Sequence, residues 1–189
     1  MHSGNPLKPM SAPVRIYYIR PASPDWSRKD IPYDRPPGPP LVEQGEKEAI
    51  LLGDFIRLQG LKKLYHSPLE RAKRTAQISA GLAGIEIQEE NSLAEWRSDE
   101  GEAQITARML STWDKLVCEA AQVGPLGFVS HGGPVMLLLR QLGISETVLE
   151  FHRGAYDHAN PMPPAGIWLA QRENGANAWD LSLVFIPKV

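Results

Sequence analysis

Leu126-Gly127-Phe128-Val129-Ser130-His131-Gly132-Gly133-Pro134 decides the fold. Four apolar residues between Gly-Pro and Gly-Gly punctuation read as a strand over 126–130. Residues 134–142, apolar almost all round, read as a helix covered by neighbours. A short buried strand that feeds a helix through a glycine turn is half of a βαβ unit. Glycines there let an anion approach the backbone N–H groups, and the helix start adds partial positive charge. His131 stands beside that turn.

The same alternation runs outward in both directions. Val14-Arg15-Ile16-Tyr17-Tyr18-Ile19 has the near-continuous apolar character of a strand buried on both faces. Residues 42–59 carry Ala49, Leu52, Phe55 and Ile56 at helical spacing, closed by Gly60. Residues 61–65 form a strand. At the next helix Ser67 is placed to cap, Pro68 to take the first helical position and Glu70 to complete a capping box, with the helix running from 68 to about 80. A strand over 85–88, an amphipathic helix over 102–122 and two strands over 166–171 and 179–186 complete the series, with Asn174-Gly175 as the turn between the last two. Strands alternating with helices predict an α/β fold: a three-layer, doubly wound, mainly parallel sheet with helices on both faces. The expected organisation is a flexible leader over 1–13, with Met10 as an alternative start, and a single domain over 14–189.

The chain has 189 residues, 42% hydrophobic and 22% charged, with formal net charge −2. That suits one globular domain and gives no electrostatic case for nucleic acid or an anionic membrane as partner. No apolar run is long enough to span a bilayer. The single cysteine, Cys118, excludes an internal disulfide and suggests a reducing cytoplasm. No metal-ligand spacing is present, and no cofactor is called for. Ten of the 17 prolines fall in the first 40 residues, so residues 20–40 read as a long loop, a form that is usually functional or mobile.

In open α/β sheets ligands gather beyond the carboxyl ends of the strands. Arg20 ends the first strand, and Arg71 lies in the first turn of the helix after His66-Ser67-Pro68. Two guanidiniums and a histidine at a helix start suit a phosphate, because arginine presents a planar fork of donors.

Ser67-Pro68-Leu69-Glu70-Arg71-Ala72-Lys73-Arg74-Thr75-Ala76 and Val129-Ser130-His131-Gly132-Gly133 resemble the histidine phosphatase superfamily, which includes cofactor-dependent phosphoglycerate mutases. Leu41-Val42-Glu43-Gln44-Gly45 resembles the family's Leu-Thr-x-x-Gly, and Leu93-Ala94-Glu95 its Leu-x-Glu. The resemblance implies a phosphoglycerate mutase-like fold. It also implies that Arg20 and Arg71 hold phosphoryl oxygens, that His131 donates to one of them, and that Glu95 protonates the leaving group. Its first motif is Arg-His-Gly, whose histidine takes the phosphoryl group. Here the chain reads Arg20-Pro21-Ala22, and the proline nitrogen has no lone pair to offer.

The resulting expectation is a phosphatase-like protein that keeps its phosphate pocket, lacks the covalent step, and binds a phosphorylated small molecule or phosphoprotein. The alternatives are a phosphomonoester hydrolase using direct water attack and a non-phosphoryl enzyme reusing the pocket. Acids crowd around Glu95 (Glu89, Glu90, Asp99, Glu100, Glu102), so a solvated acidic stretch competes with a catalytic role there. His66 reads as structural. His152 and His158 are loop candidates for the pocket, and Trp26, Tyr33 and Trp96 are lid or packing aromatics. The sequence sets no oligomeric state.

Overall fold

The computed structural model describes residues 12–173 and 175–188. Most of the expected leader, and Asn174 of the expected turn, lie outside them. In chain order the elements are β1 (Val14–Ile19), α1 (Glu43–Gln59), β2 (Lys63–His66), α2 (Glu70–Ala83), β3 (Glu86–Glu89), α3 (Glu102–Val123), β4 (Leu126–Val129), α4 (Gly132–Gln141), α5 (Glu146–Ala155), β5 (Ile167–Arg172) and β6 (Asp180–Phe185). Single 3-10 turns lie at Asn91–Leu93 and Asp157–Ala159.

All six strands join one sheet in the order β3-β2-β4-β1-β5-β6. The pairs β1–β4, β4–β2 and β2–β3 are parallel, as βαβ crossovers require. The other two pairs, β1–β5 and β5–β6, are antiparallel. Residues 173–179 are too few for a crossover helix, so β6 can only return as a hairpin partner.

Strand pleating sorts the core into two layers. Val14, Ile16 and Tyr18 face one way, onto Ile105, Met109 and Trp113 of α3 and Val135 and Leu138 of α4. Tyr17 and Ile19 face the other way, onto Leu52 and Ile56 of α1 and Ala72 and Ala76 of α2. The three-layer α/β arrangement is therefore the one the sequence implies. Tyr18 stacks on Trp113 at 5.5 Å and meets the edge of Phe128 at 4.9 Å. Each such fully buried large side chain contributes about 1.5–3 kcal/mol.

Two local expectations need correction. The helix α2 starts at Glu70, not Pro68, and Leu69 is its cap residue. Of the N–H groups at the helix start, Ser67 Oγ accepts only that of Leu69, at 3.3 Å, and it lies 2.8 Å from His131 Nε2, so the hydroxyl is diverted to the histidine. The Glu70 N–H instead donates to the Pro37 carbonyl at 2.7 Å. The second correction is α5, which sequence reading missed. Ser145 caps it, accepting from the Val148 N–H at 3.3 Å, and Leu149 is its one buried residue.

The long proline-rich connection is folded back rather than loose. Asp25 N–H donates to the Pro40 carbonyl at 2.8 Å, and Ser23 donates through N–H and Oγ to Glu48 of α1, each at 2.8 Å. No helix among the described residues is long and apolar enough to cross a membrane.

Candidate anion pocket

Because β4 lies between β1 and β2 in the sheet, their carboxyl ends open side by side. The end of β1 delivers Arg20 and Pro21, the end of β2 delivers Ser67, and the end of β4 delivers Ser130 and His131 at the start of α4. Arg71 comes from the first turn of α2. A cavity of about 370 Å³ forms there, with Arg20, Pro21, Arg71, Glu95 and His131 in its wall. The four residues singled out as the site from scattered positions therefore meet in one hollow.

Arg71 is 1% exposed and is the hub. Its Nη1 donates to the Tyr33 carbonyl at 2.8 Å, and its Nη2 reaches Glu95 Oε2 at 3.2 Å and His131 Nδ1 at 3.1 Å. The Tyr33 ring lies 3.9 Å from the guanidinium carbon. Arginine only donates, so His131 Nδ1 must accept, and the imidazole proton sits on Nε2, directed at Ser67 Oγ. Burial, reinforced by Arg71, Arg108 and Arg20, holds the His131 pKa well below its ordinary 6.5. Its ring is neutral.

Glu95 is withdrawn from the acidic stretch around it. Its side chain is 12% exposed, against 56% for Asp99. Arg108 of α3 fixes it by donating to the Ala94 carbonyl at 2.9 Å and the Glu95 carbonyl at 3.1 Å. Burial raises the Glu95 carboxyl pKa, and the neighbouring Arg71 only partly offsets that push.

Arg20 is also occupied. Its Nη1 and Nη2 donate to the two oxygens of Asp157 at 2.6 and 2.7 Å, and Nη1 also reaches the Met162 carbonyl at 3.0 Å. Sequence reading missed Asp157, Arg108 and Asn160. The side chain of Asn160 fills the place a Cβ on Gly132 would take. The bare Cα of Gly132 thus admits a side chain, where sequence reading reserved it for an anion.

Of the two histidines expected on loops, His158 lines the cavity, whereas His152 lies in α5 and does not. His152 packs edge-on to Trp168 at 5.0 Å instead. His66 is buried with Nδ1 2.9 Å from the Ser67 carbonyl, the structural place foreseen for it. Trp26, Tyr33 and Trp96 all reach the cavity wall. Among the described residues no group of three or more His, Cys, Asp or Glu side chains could hold a metal ion.

The family described as "Histidine phosphatase superfamily (branch 1)" matches residues 16–104, which span Arg20, Arg71 and Glu95. A phosphoglycerate mutase from Bacillus anthracis superposes with TM-score 0.68 at 17% identity, covering 92% of this chain and 93% of that one. YhfR of Bacillus stearothermophilus gives 0.70 at 17% identity, covering 89% and 95%. A mycobacterial glucosyl-3-phosphoglycerate phosphatase gives 0.70 at 15% identity, covering 91% and 98%. No curated protein matches the chain in sequence. Residues 16–104 match the histidine phosphatase superfamily in sequence, and the chain shares the fold of these phosphoglycerate mutase-like structures. Within this phosphoglycerate mutase-like fold, Pro21 stands directly after Arg20 in the cavity wall, where the Arg-His-Gly resemblance assigns a histidine.

The neutral His131 makes a measurable prediction. Its folded pKa lies below the unfolded 6.5, so below that pH the unfolded chain binds the additional proton. Its contribution to stability is therefore complete above pH 6.5 and falls as the pH drops, by up to about 1.4 kcal/mol per pH unit. Chemical denaturation between pH 7 and 5 should show this slope, and His131→Gln should flatten it. An unchanged slope in the variant would place the titrating group elsewhere.

Proposed function

We propose that the cavity binds the phosphoryl group of a phosphorylated ligand, and that the protein does not turn such ligands over through a phosphohistidine. One observation carries this reading: Arg20, Arg71 and His131 converge on a single hollow whose wall holds Pro21. Two guanidinium forks are the donor set that phosphoryl oxygens use best, and the neutral imidazole beside them keeps its N–H on the nitrogen facing Ser67 Oγ. A proline at the attacking position has no nucleophile to supply. The size of about 370 Å³ is at the small end of ligand pockets and favours a phosphorylated small molecule over a phosphoprotein. With Cys118 as the only cysteine, we extend the reading to a cytoplasmic protein.

A second reading is hydrolysis by direct water attack. It is favoured by the Glu95 carboxyl, whose raised pKa suits an acid that gives up its proton late.

Titration calorimetry with inorganic phosphate, orthovanadate and a panel of phosphorylated metabolites tests the binding reading. Binding at millimolar concentration or tighter is expected, weakened roughly thirtyfold or more in Arg71→Ala. No heat from any of these anions at millimolar concentration would overturn it.

A further inference from the structure

The cation at the end of β1 is already engaged by an anion of the protein's own. Both terminal nitrogens of Arg20 meet the two Asp157 oxygens in parallel, at 2.6 and 2.7 Å. This bidentate fork is the geometry in which arginine takes phosphate. The two partners are unequally sheltered, with the Arg20 side chain 6% exposed and that of Asp157 38%. The carboxylate lies on the solvent side of a buried guanidinium, where it can leave without opening the core.

The turn that carries it is under tension. His158 and Ala159 have φ of +50° and +52°, the left-handed region that residues with a side chain avoid. Such conformations persist where surrounding contacts over-determine them. Arg153 of α5 holds the Ala159 carbonyl from outside, at 3.1 Å, and the other contacts gather around the cavity. Asp157 sits on Arg20, the His158 ring is 4.7 Å from Trp26, and the Asn160 side chain fills the notch at Gly132. Partial burial pushes the Asp157 carboxyl up, and the Arg20 hydrogen bonds and charge more than reverse it, so the carboxylate is ionised.

We propose that Asp157 is the specificity-determining residue of the pocket: a built-in carboxylate that holds the Arg20 fork and yields it only to an anion offering two oxygens at once. The inference rests on the phosphate reading above. It adds that binding is an exchange, phosphoryl for carboxylate, in which Asp157 moves into water still ionised and the turn at His158 and Ala159 relaxes. A monodentate anion cannot replace both hydrogen bonds and is refused. A phosphate monoester replaces both.

Calorimetry with inorganic phosphate on the wild type, Asp157→Asn and Asp157→Ala tests this. Removing the competing charge should tighten phosphate binding roughly tenfold in both variants. Adding Arg20→Gln to either should abolish the gain. In the wild type, the amide resonances of His158 and Ala159 should move on saturation with phosphate, a readout that needs no variant to fold. Unchanged or weaker binding in both variants, or static His158 and Ala159 amides at saturation, would show that Asp157 is a fixed clasp and overturn the exchange while the phosphate reading stands. Absence of phosphate binding in all three proteins would overturn both.

Discussion

Pro21→His is expected to raise turnover of an aryl phosphate from background by about a thousandfold or more, with an acid-labile phosphohistidine trapped on the chain. Losing the nucleophile from a cooperating catalytic set typically costs about a million-fold in rate, so restoring it should recover a large part. The surroundings favour recovery. Arg20, Arg71 and His131 share the cavity wall with the position, and the Glu95 carboxyl is shifted toward the acid form. The Pro21 carbonyl is already fixed by the Ala165 N–H at 3.2 Å, a bond the substitution leaves in place. Phosphate binding without any phosphohistidine in the variant would mean that the introduced histidine does not align with the anion. Substantial wild-type turnover that vanishes in Glu95→Gln would instead select direct attack by water.

Arg71→Met should produce the largest loss of stability. The substitution removes the donor shared by Glu95 Oε2 and His131 Nδ1 and the partner of the Tyr33 carbonyl at one stroke. Breaking a buried pair leaves an uncompensated charge and costs about 3–5 kcal/mol, on the order of 10 °C in Tm for a chain of this size. The loss should depend on pH. Without Arg71, only the Trp96 N–H and the Arg20 charge oppose burial at Glu95, and its folded pKa rises still further above the unfolded value. The folded state then binds the additional proton, so stability falls as pH rises through the carboxyl range and recovers in acid. Arg71→Met combined with Glu95→Gln should regain much of the loss at neutral pH. Thermal melts of the three proteins at pH 5 and pH 8 check this, and an Arg71→Met melt superimposable on wild type would refute it.

What could be read from the chain alone was whatever is encoded locally. Val14-Arg15-Ile16-Tyr17-Tyr18-Ile19 announces a strand through its own composition, and it is β1. The glycine turn after Val129 and the arginine after Ser67-Pro68 bring a histidine and a cation to strand ends, and both line the cavity. The groups that escaped are those whose meaning comes from across the chain. Asp157 is an ordinary acid among prolines until the fold sets it on Arg20, 137 positions away in sequence. Asn160 matters only because Gly132 leaves it room. Ser67 misled for the same reason. By local rules its hydroxyl belongs to the helix start, yet a histidine 64 residues on offers it a stronger partner. The last two strands were legible as a pair joined by a turn, but the antiparallel seat of β5 beside β1 was hidden, because β5 looks the same in a parallel or an antiparallel neighbourhood.

The pairing of Arg20 with Asp157 and of Arg71 with Glu95 reaches beyond the pocket. Two opposite charges held within a few ångströms cancel at a distance, so the mouth projects little field past the first layers of water. On the proposed phosphate reading, association would then proceed without electrostatic steering, at the pace of unaided diffusion and orientation. Selection happens on contact, after arrival.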